Sequence, residues 1–375
     1  MRACLVLSAC FVLLLSACAT PTQDGSRLAT SEHYVTAKSG APGLRGGETR
    51  LYVREVAPAS SRIPAANRVV LFVHGSGTPA EVTFDVRYKD YSWMQYLANA
   101  GFDVFSLSLT GYGGSTRPAA MTDVCNFSKA TQAQFVPAVI PQPCEATYKT
   151  PISTMESDWN EIDATVDYLR RLRGVDKVSI VGWSQGGPRA GGYTARNPGK
   201  VERLFILAPS YMPDWPATVP ATLPADYAAM GAQSRKNFDD NWKRQVGCPD
   251  QIEPDAADAV WREMIASDPV GAKWGEGVRR APNVPNSGFN KAIVSQMRTP
   301  FAMVSGAHDK QIIPERVRGL YRDLGSKDKV FIDLACTSHN AMWERNRGLL
   351  YKASLEWLRD GNVNGVSQGE VKLGY

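Results

Sequence analysis

The sequence predicts an α/β fold, a mostly parallel central sheet with helices on both faces and a helical lid inserted late in the chain. Three observations carry that expectation. Short runs of β-branched and aromatic residues alternate with segments of helical period between residues 69 and 358. Several of these runs stop at glycine-rich turns, as strands buried on both faces do. One long aromatic-rich stretch, 211–297, breaks the alternation.

Residues 1–17 carry a single base, Arg2, followed by an apolar run through Leu15. That run is shorter than the roughly 20 residues a permanent span needs, and it is built like a secretory leader. Leu15, Ser16, Ala17 and Cys18 resemble the lipobox of bacterial lipoproteins. The resemblance implies acylation of Cys18, export, and membrane attachment through lipid alone. Ala19, where an aspartate would mark inner-membrane retention, looks like sorting to the outer membrane, facing the periplasm or the cell exterior. Residues 18–47, rich in Thr, Ser, Gly, Ala and Pro, read as a tether.

The core is expected over 48–210 and 298–360. A weak run at 49–56, with a partner before Val69, supplies antiparallel strands at the edge. Residues 69–73 form the first strong strand and end at His74-Gly75. A helix follows at 90–98, then a strand at 102–109 that stops at T-G-Y-G-G-S. Residues 118–153 hold five prolines and two cysteines with little periodicity, an ordered surface excursion. A helix at 156–173 carries the apolar stripe Ile162, Val166, Leu169 and Leu172. The remaining strands are 177–181, 201–207, 301–304 and 330–334, with helices from Ser184 onward, at 314–324 and at 349–358. Residues 361–375 read as a tail. In 211–297, Trp215, Phe238, Trp242, Trp261 and Trp274 lie among short helices, a lid whose aromatic residues either line an apolar site or form its own core.

Of seven cysteines, three lie at or before Cys18, leaving Cys125, Cys144, Cys248 and Cys336. An even number in an exported chain points to two disulfides, with three possible pairings. Cys125 with Cys144 and Cys248 with Cys336 is preferred, because the first two share one local insertion. The formal net charge of +5 falls to +4 without residues 1–17, and the charges are scattered. No basic cluster suggests a nucleic-acid partner. No metal-ligand spacing, phosphate loop or nucleotide fingerprint occurs, so neither metal nor cofactor is expected.

The strongest chemical signal is V-S-I-V-G-W-S-Q-G-G, in which Gly182, Ser184 and Gly186 fill a G-x-S-x-G pattern between a strand and a helix. A serine hydroxyl needs such a bend to stand clear of the sheet, and it needs a base. His339, after the last core strand, is the preferred base, with His308 as the other candidate and His74 as a brace for its loop. Asp309, just beyond the strand at 301–304, is the preferred acid over Asp333 and Asp214, which gives the chain order Ser184, Asp309, His339. The amides of Ser76 and Gln185 are the expected donors to a developing oxyanion, with Gly75 and Gly77 supporting the loop.

Together, V-V-L-F-V-H-G-S-G, G-F-D-V-F-S-L-S-L-T-G-Y-G-G-S, V-S-I-V-G-W-S-Q-G-G, P-F-A-M-V-S-G-A-H-D and S-H-N resemble the α/β-hydrolase superfamily over residues 50–360. They look most like its lid-bearing branch, which includes esterases, dehalogenases, epoxide hydrolases and proline iminopeptidases. The resemblance implies Ser184 as nucleophile, Asp309 as acid, His339 as base and His74 to Gly77 as the oxyanion loop. Dehalogenases and epoxide hydrolases of this fold use an aspartate nucleophile, so a serine argues against both. The expected reaction is carboxylic ester hydrolysis through an acyl-enzyme, with an amide hydrolase of iminopeptidase type as the alternative and a non-catalytic binding module behind it. A small or oligomeric ester is the expected partner, and nothing in the sequence sets an oligomeric state.

Overall fold

A computed structural model describes residues 28–59 and 66–375. Strands β1 (Leu28–Lys38), β2 (Glu48–Pro58), β3 (Val69–Val73), β4 (Asp103–Ser108), β5 (Val178–Trp183) and β6 (Val201–Leu207) come first. Two short strands, β7 (Met230–Ser234) and β8 (Val278–Pro282), pair as a separate antiparallel ribbon. The chain then adds β9 (Phe301–Gly306), β10 (Lys329–Leu334) and β11 (Gly369–Leu373). The main sheet has the order β1-β2-β4-β3-β5-β6-β9-β10-β11. Only the β1–β2 and β2–β4 pairings are antiparallel. From β4 to β11 every neighbouring pair is parallel.

The central strands are buried along their whole length, which is why apolar side chains occupy both of their faces rather than one. Helices cover the sheet on both faces. Trp93–Asn99 and Arg347–Asp360 pack on each other and over β2, β4 and β6. Met155–Arg173 packs with Gly192–Arg196 near β1 and β5. That long helix starts at a reciprocal capping box between Thr154 and Ser157 and stops at Gly174, whose φ of 63° suits glycine.

The structure corrects two assignments at the sheet edges. Within 18–47, residues Leu28–Lys38 are not tether: they pair with β2 from Leu28 opposite Pro58 to Lys38 opposite Glu48. The strand lacks an apolar run because it is an edge, with Val35 its one fully buried side chain and the backbone ladder supplying the hold. His33 is tied in as well, to Glu55 at 2.7 Å and to the Tyr168 hydroxyl at 2.9 Å. At the other end, residues 361–375 are not a free tail, since Gly369–Leu373 extends the sheet beyond β10 and buries Val371 and Leu373. Cys18 and the leader lie outside the described residues.

The two insertions meet. Met121, Val124, Phe127, Phe135 and Ile152 from 118–153 form a small core of their own with Ala229, Met230 and Val278 of the lid. Cys125 pairs with Cys144 inside the first insertion, and Cys248 of the lid pairs with Cys336 beside β10. The lid combines helices Arg235–Lys243 and Ala256–Ala266 with the β7–β8 ribbon. Its aromatic residues are taken up in packing: Phe238 lies against Trp242 and Trp261 within the lid, and Trp274 against Phe127 and Phe135 of the first insertion.

Candidate active site

Parallel strands deliver their carboxyl ends to one edge of a sheet, so residues just after β3, β5, β9 and β10 converge there. After β5 the chain bends sharply at Ser184, whose φ of 58° is unusual for a residue with a side chain. The bend is held by Ser184 N–H donating to Leu207 O and by Ser184 O accepting from Gly187 and Ser210 N–H. Small residues are obligatory around it. A Cβ on Gly186 would fall 2.6 Å from Val73 O, and one on Gly75 would fall 2.8 Å from the Ser184 Cβ. The helix that follows opens with a π-turn over Gly187–Gly191 before Gly192–Arg196, a feature the sequence pattern does not reveal.

Ser184 Oγ lies 2.9 Å from His339 Nε2, and His339 Nδ1 lies 2.8 Å from Asp309 Oδ2. The other Asp309 oxygen accepts from the Gln311 and Ile312 amides, both at 2.8 Å. Trp183 Nε1 donates to His339 O at 2.8 Å, so the strand that leads into Ser184 fixes the loop that carries the imidazole. Glu344 accepts from both the amide and hydroxyl of Ser338 and from Trp242 Nε1, bracing that loop from behind. Thus three residues far apart in sequence form a continuous hydrogen-bonded chain.

The other candidates are occupied elsewhere. His74 is buried, donates from Nδ1 to Gly75 O and accepts the Leu109 N–H at Nε2, so neither nitrogen is free to take a proton from Ser184. Burial, reinforced by the charge of Arg189, holds its imidazole well below the usual range. His308 packs its ring against the Gly247 backbone of the lid. Asp333 is only half-buried and faces Arg318 and Tyr375, and Asp214 is exposed.

Arg189, which the sequence pattern does not single out, organises the 74–77 loop. Its Nη1 donates to Gly75 O at 2.7 Å and to His74 O at 3.2 Å, while Nε pairs with buried Asp158 at 2.7 Å. Gly75 C=O and Ser76 N–H belong to one trans peptide plane. Anchoring the carbonyl toward Arg189 therefore turns the Ser76 N–H the opposite way. Among the described residues neither the Ser76 nor the Gln185 amide donates to a protein acceptor, which leaves both available at the site. The Gln185 side chain is committed, donating to Val284 O and Asn286 Oδ1 of the lid.

A cavity of about 200 Å³ opens over Ser184 and His339. Ser76, Gln233, Asn241, Arg279, Gln311 and Asn340 give it polar walls, and Trp183, Phe238, Met264 and Trp343 give it apolar ones. No Asp or Glu lines it among the described residues.

The same architecture recurs widely. An esterase from Thermogutta terrifontis superposes with a TM-score of 0.53 at 15% identity, covering 87% of this chain and 98% of that one. The 2-hydroxy-6-oxo-6-phenylhexa-2,4-dienoate hydrolase of Rhodococcus sp. strain RHA1 gives 0.51 at 16%, covering 86% and 96%. A bacterial membrane phospholipase A gives 0.51 at 15%, covering 88% and 87%. No curated protein matches the chain. The family model described as alpha/beta hydrolase fold matches residues 68–346, most of the length, and the chain belongs to that family.

Proposed function

We propose that this protein is a serine hydrolase that cleaves carboxylic esters through an acyl-enzyme, with Ser184 as nucleophile, His339 as base and Asp309 as the group that orients the base and stabilises the imidazolium it becomes. The relay of 2.9 Å and 2.8 Å beneath an open cavity carries the reading. Ser184 Oγ attacks the ester carbonyl carbon as its proton passes to His339 Nε2. The oxygen bears negative charge in the tetrahedral intermediate, against the Ser76 and Gln185 amides. The C–O bond to the alcohol then breaks, and the alcohol leaves with the proton from Nε2. Water repeats the sequence on the acyl group, giving up its proton to Nε2 and restoring the Ser184 hydroxyl as the acid departs.

An iminopeptidase would need a carboxylate to hold the substrate's cationic amine, and the cavity walls supply none. Export and lipid attachment at Cys18 belong to the same proposal. The two disulfides, with Cα separations of 5.2 and 5.8 Å, support an oxidising compartment.

The test is covalent labelling by a fluorophosphonate alongside turnover of p-nitrophenyl esters and proline anilides. Ester turnover should exceed anilide turnover, and Ser184→Ala should abolish labelling and cut kcat by about 10⁴-fold or more. Labelling that survives in Ser184→Ala would remove the nucleophile assignment, and anilide turnover above ester turnover would overturn the ester reading.

A further inference from the structure

Strand β8 carries consecutive arginines into different surroundings. Side chains alternate across a strand, so Arg279 and Arg280 face opposite ways. Arg280 is buried and fully paired, with Nη2 on Asp268 Oδ1 at 2.6 Å and Nε on Oδ2 at 3.0 Å. Arg117 also approaches that carboxylate, at 3.9 Å. Arg279 instead enters the cavity shared with Ser184 and His339. Its only hydrogen-bond partner among the described residues is neutral: the cross-strand Gln233, whose Oε1 accepts from Nε at 3.2 Å and Nη2 at 2.9 Å.

The guanidinium rests on the oxyanion loop. A Cβ on Gly77 would lie 2.2 Å from both terminal nitrogens, and Gly77 adjoins Ser76, the expected oxyanion donor. Gly75, two residues earlier, abuts Ser184 itself. So the cation stands a short step from the reacting centre, over a loop where a side chain is excluded. Burial pushes the guanidinium down, to about 10, as expected when desolvation is poorly offset by a counter-charge. Gln233 fixes the fork from one side and leaves Nη1 for an incoming group. A half-buried cation with a neutral brace, in a cavity without carboxylates, is complementary to an anion brought by the substrate.

We propose that Arg279 is a specificity-determining residue that binds an oxyanionic group on the substrate, a carboxylate in the simplest case, so that the preferred substrates are esters bearing a negative charge. The proposal rests on the ester hydrolase reading for its substrate class, while the anion site itself is readable without turnover.

Three full-length proteins, wild type, Arg279→Gln and Arg279→Lys, would be assayed on p-nitrophenyl butyrate, mono-p-nitrophenyl glutarate and 4-acetoxybenzoate, which place the charge nowhere, on the acyl half and on the alcohol half. Glutarate binding would be measured in parallel by calorimetry. In Arg279→Gln, kcat/KM on at least one anionic ester should fall roughly ten- to a hundredfold more than on the neutral ester, chiefly through KM. Arg279→Lys should recover part of that difference, and glutarate binding should weaken in step. Equal losses on all three esters, or glutarate binding indifferent to Arg279, would overturn the anion site, since a purely structural arginine affects every substrate alike. Arg279-dependent glutarate binding without ester turnover would sink the esterase reading and spare the site. Ester turnover with no charge preference would do the reverse.

Discussion

Beneath the 74–77 loop, one arginine faces two carboxyl groups. Arg189 takes Asp158 as its ion-pair partner. Glu161, equally buried, has only the amide and hydroxyl of Thr110, at 2.9 and 2.6 Å. Burial, with the charge of Asp158 adding to it, pushes Glu161 from its ordinary 4.5 up to about 8. The consequence for stability has a definite sign. Between those two values the folded chain keeps a proton that the unfolded chain releases, so stability declines as pH rises from 4.5 to 8 and levels off above. Glutamine keeps an acceptor for the Thr110 amide and cannot ionise. Glu161→Gln should therefore gain on the wild type as pH rises, by roughly 3 °C or more in Tm at pH 8.5 relative to pH 5. Thermal melts across that range check it, and a Tm difference that is flat or that shrinks with pH would contradict the assignment.

At the scale of elements, the lid is moored to the loops that carry Asp309 and His339. Gln245, just past helix Arg235–Lys243, accepts from the Lys310 amide beside Asp309 and from the His339 amide, at 3.1 and 3.4 Å. Trp242 and Gln251 reach Glu344, and Cys248 is bonded to Cys336 across 88 residues of chain. The disulfide is thus one of several fastenings, and its removal should act more on stability than on chemistry. The double variant Cys248→Ser, Cys336→Ser should lose roughly 2–4 kcal/mol in denaturant unfolding. Its kcat should stay within about fivefold of wild type, because the Gln245 and Glu344 contacts persist, whereas loss of one well-placed oxyanion donor costs about a hundredfold or more. A collapse of kcat at unchanged stability would show that the covalent link itself aligns the base.

For the whole molecule, what could be read in the sequence follows the pattern of burial. Strands β3 to β6, β9 and β10 are buried along most of their length, and each shows as a short run rich in aliphatic and aromatic residues. Ser184, Asp309 and His339 are legible because each lies shortly after the end of such a strand in a short, distinctive motif. Arg189, Gln245, Arg279 and Glu344 are not, since their partners lie elsewhere in the chain and no local pattern marks them. The outermost strands were missed for a related reason: β1 and β11 sit at the margins, where the ladder to one neighbour substitutes for an apolar run. That margin has a function in β11. It covers β10, the strand that leads into His339, with Ala335 N–H donating to Leu373 O and with Val371 and Leu373 buried. Ending the chain after Asp360 would remove the buried side chains of Val363, Val371 and Leu373, uncover the apolar surface they pack on and leave a row of unpaired backbone groups along β10. Burial of each such side chain is worth about 1.5–3 kcal/mol. The truncated protein should melt at least about 5 °C lower and scatter light increasingly with concentration, as exposed edges pair between molecules. Val371→Asp in the full chain, which keeps the ladder but spoils its apolar face, should lower Tm by less and leave scattering near wild type. If truncation left both Tm and scattering unchanged, β11 would be an ornament of the sheet rather than its seal.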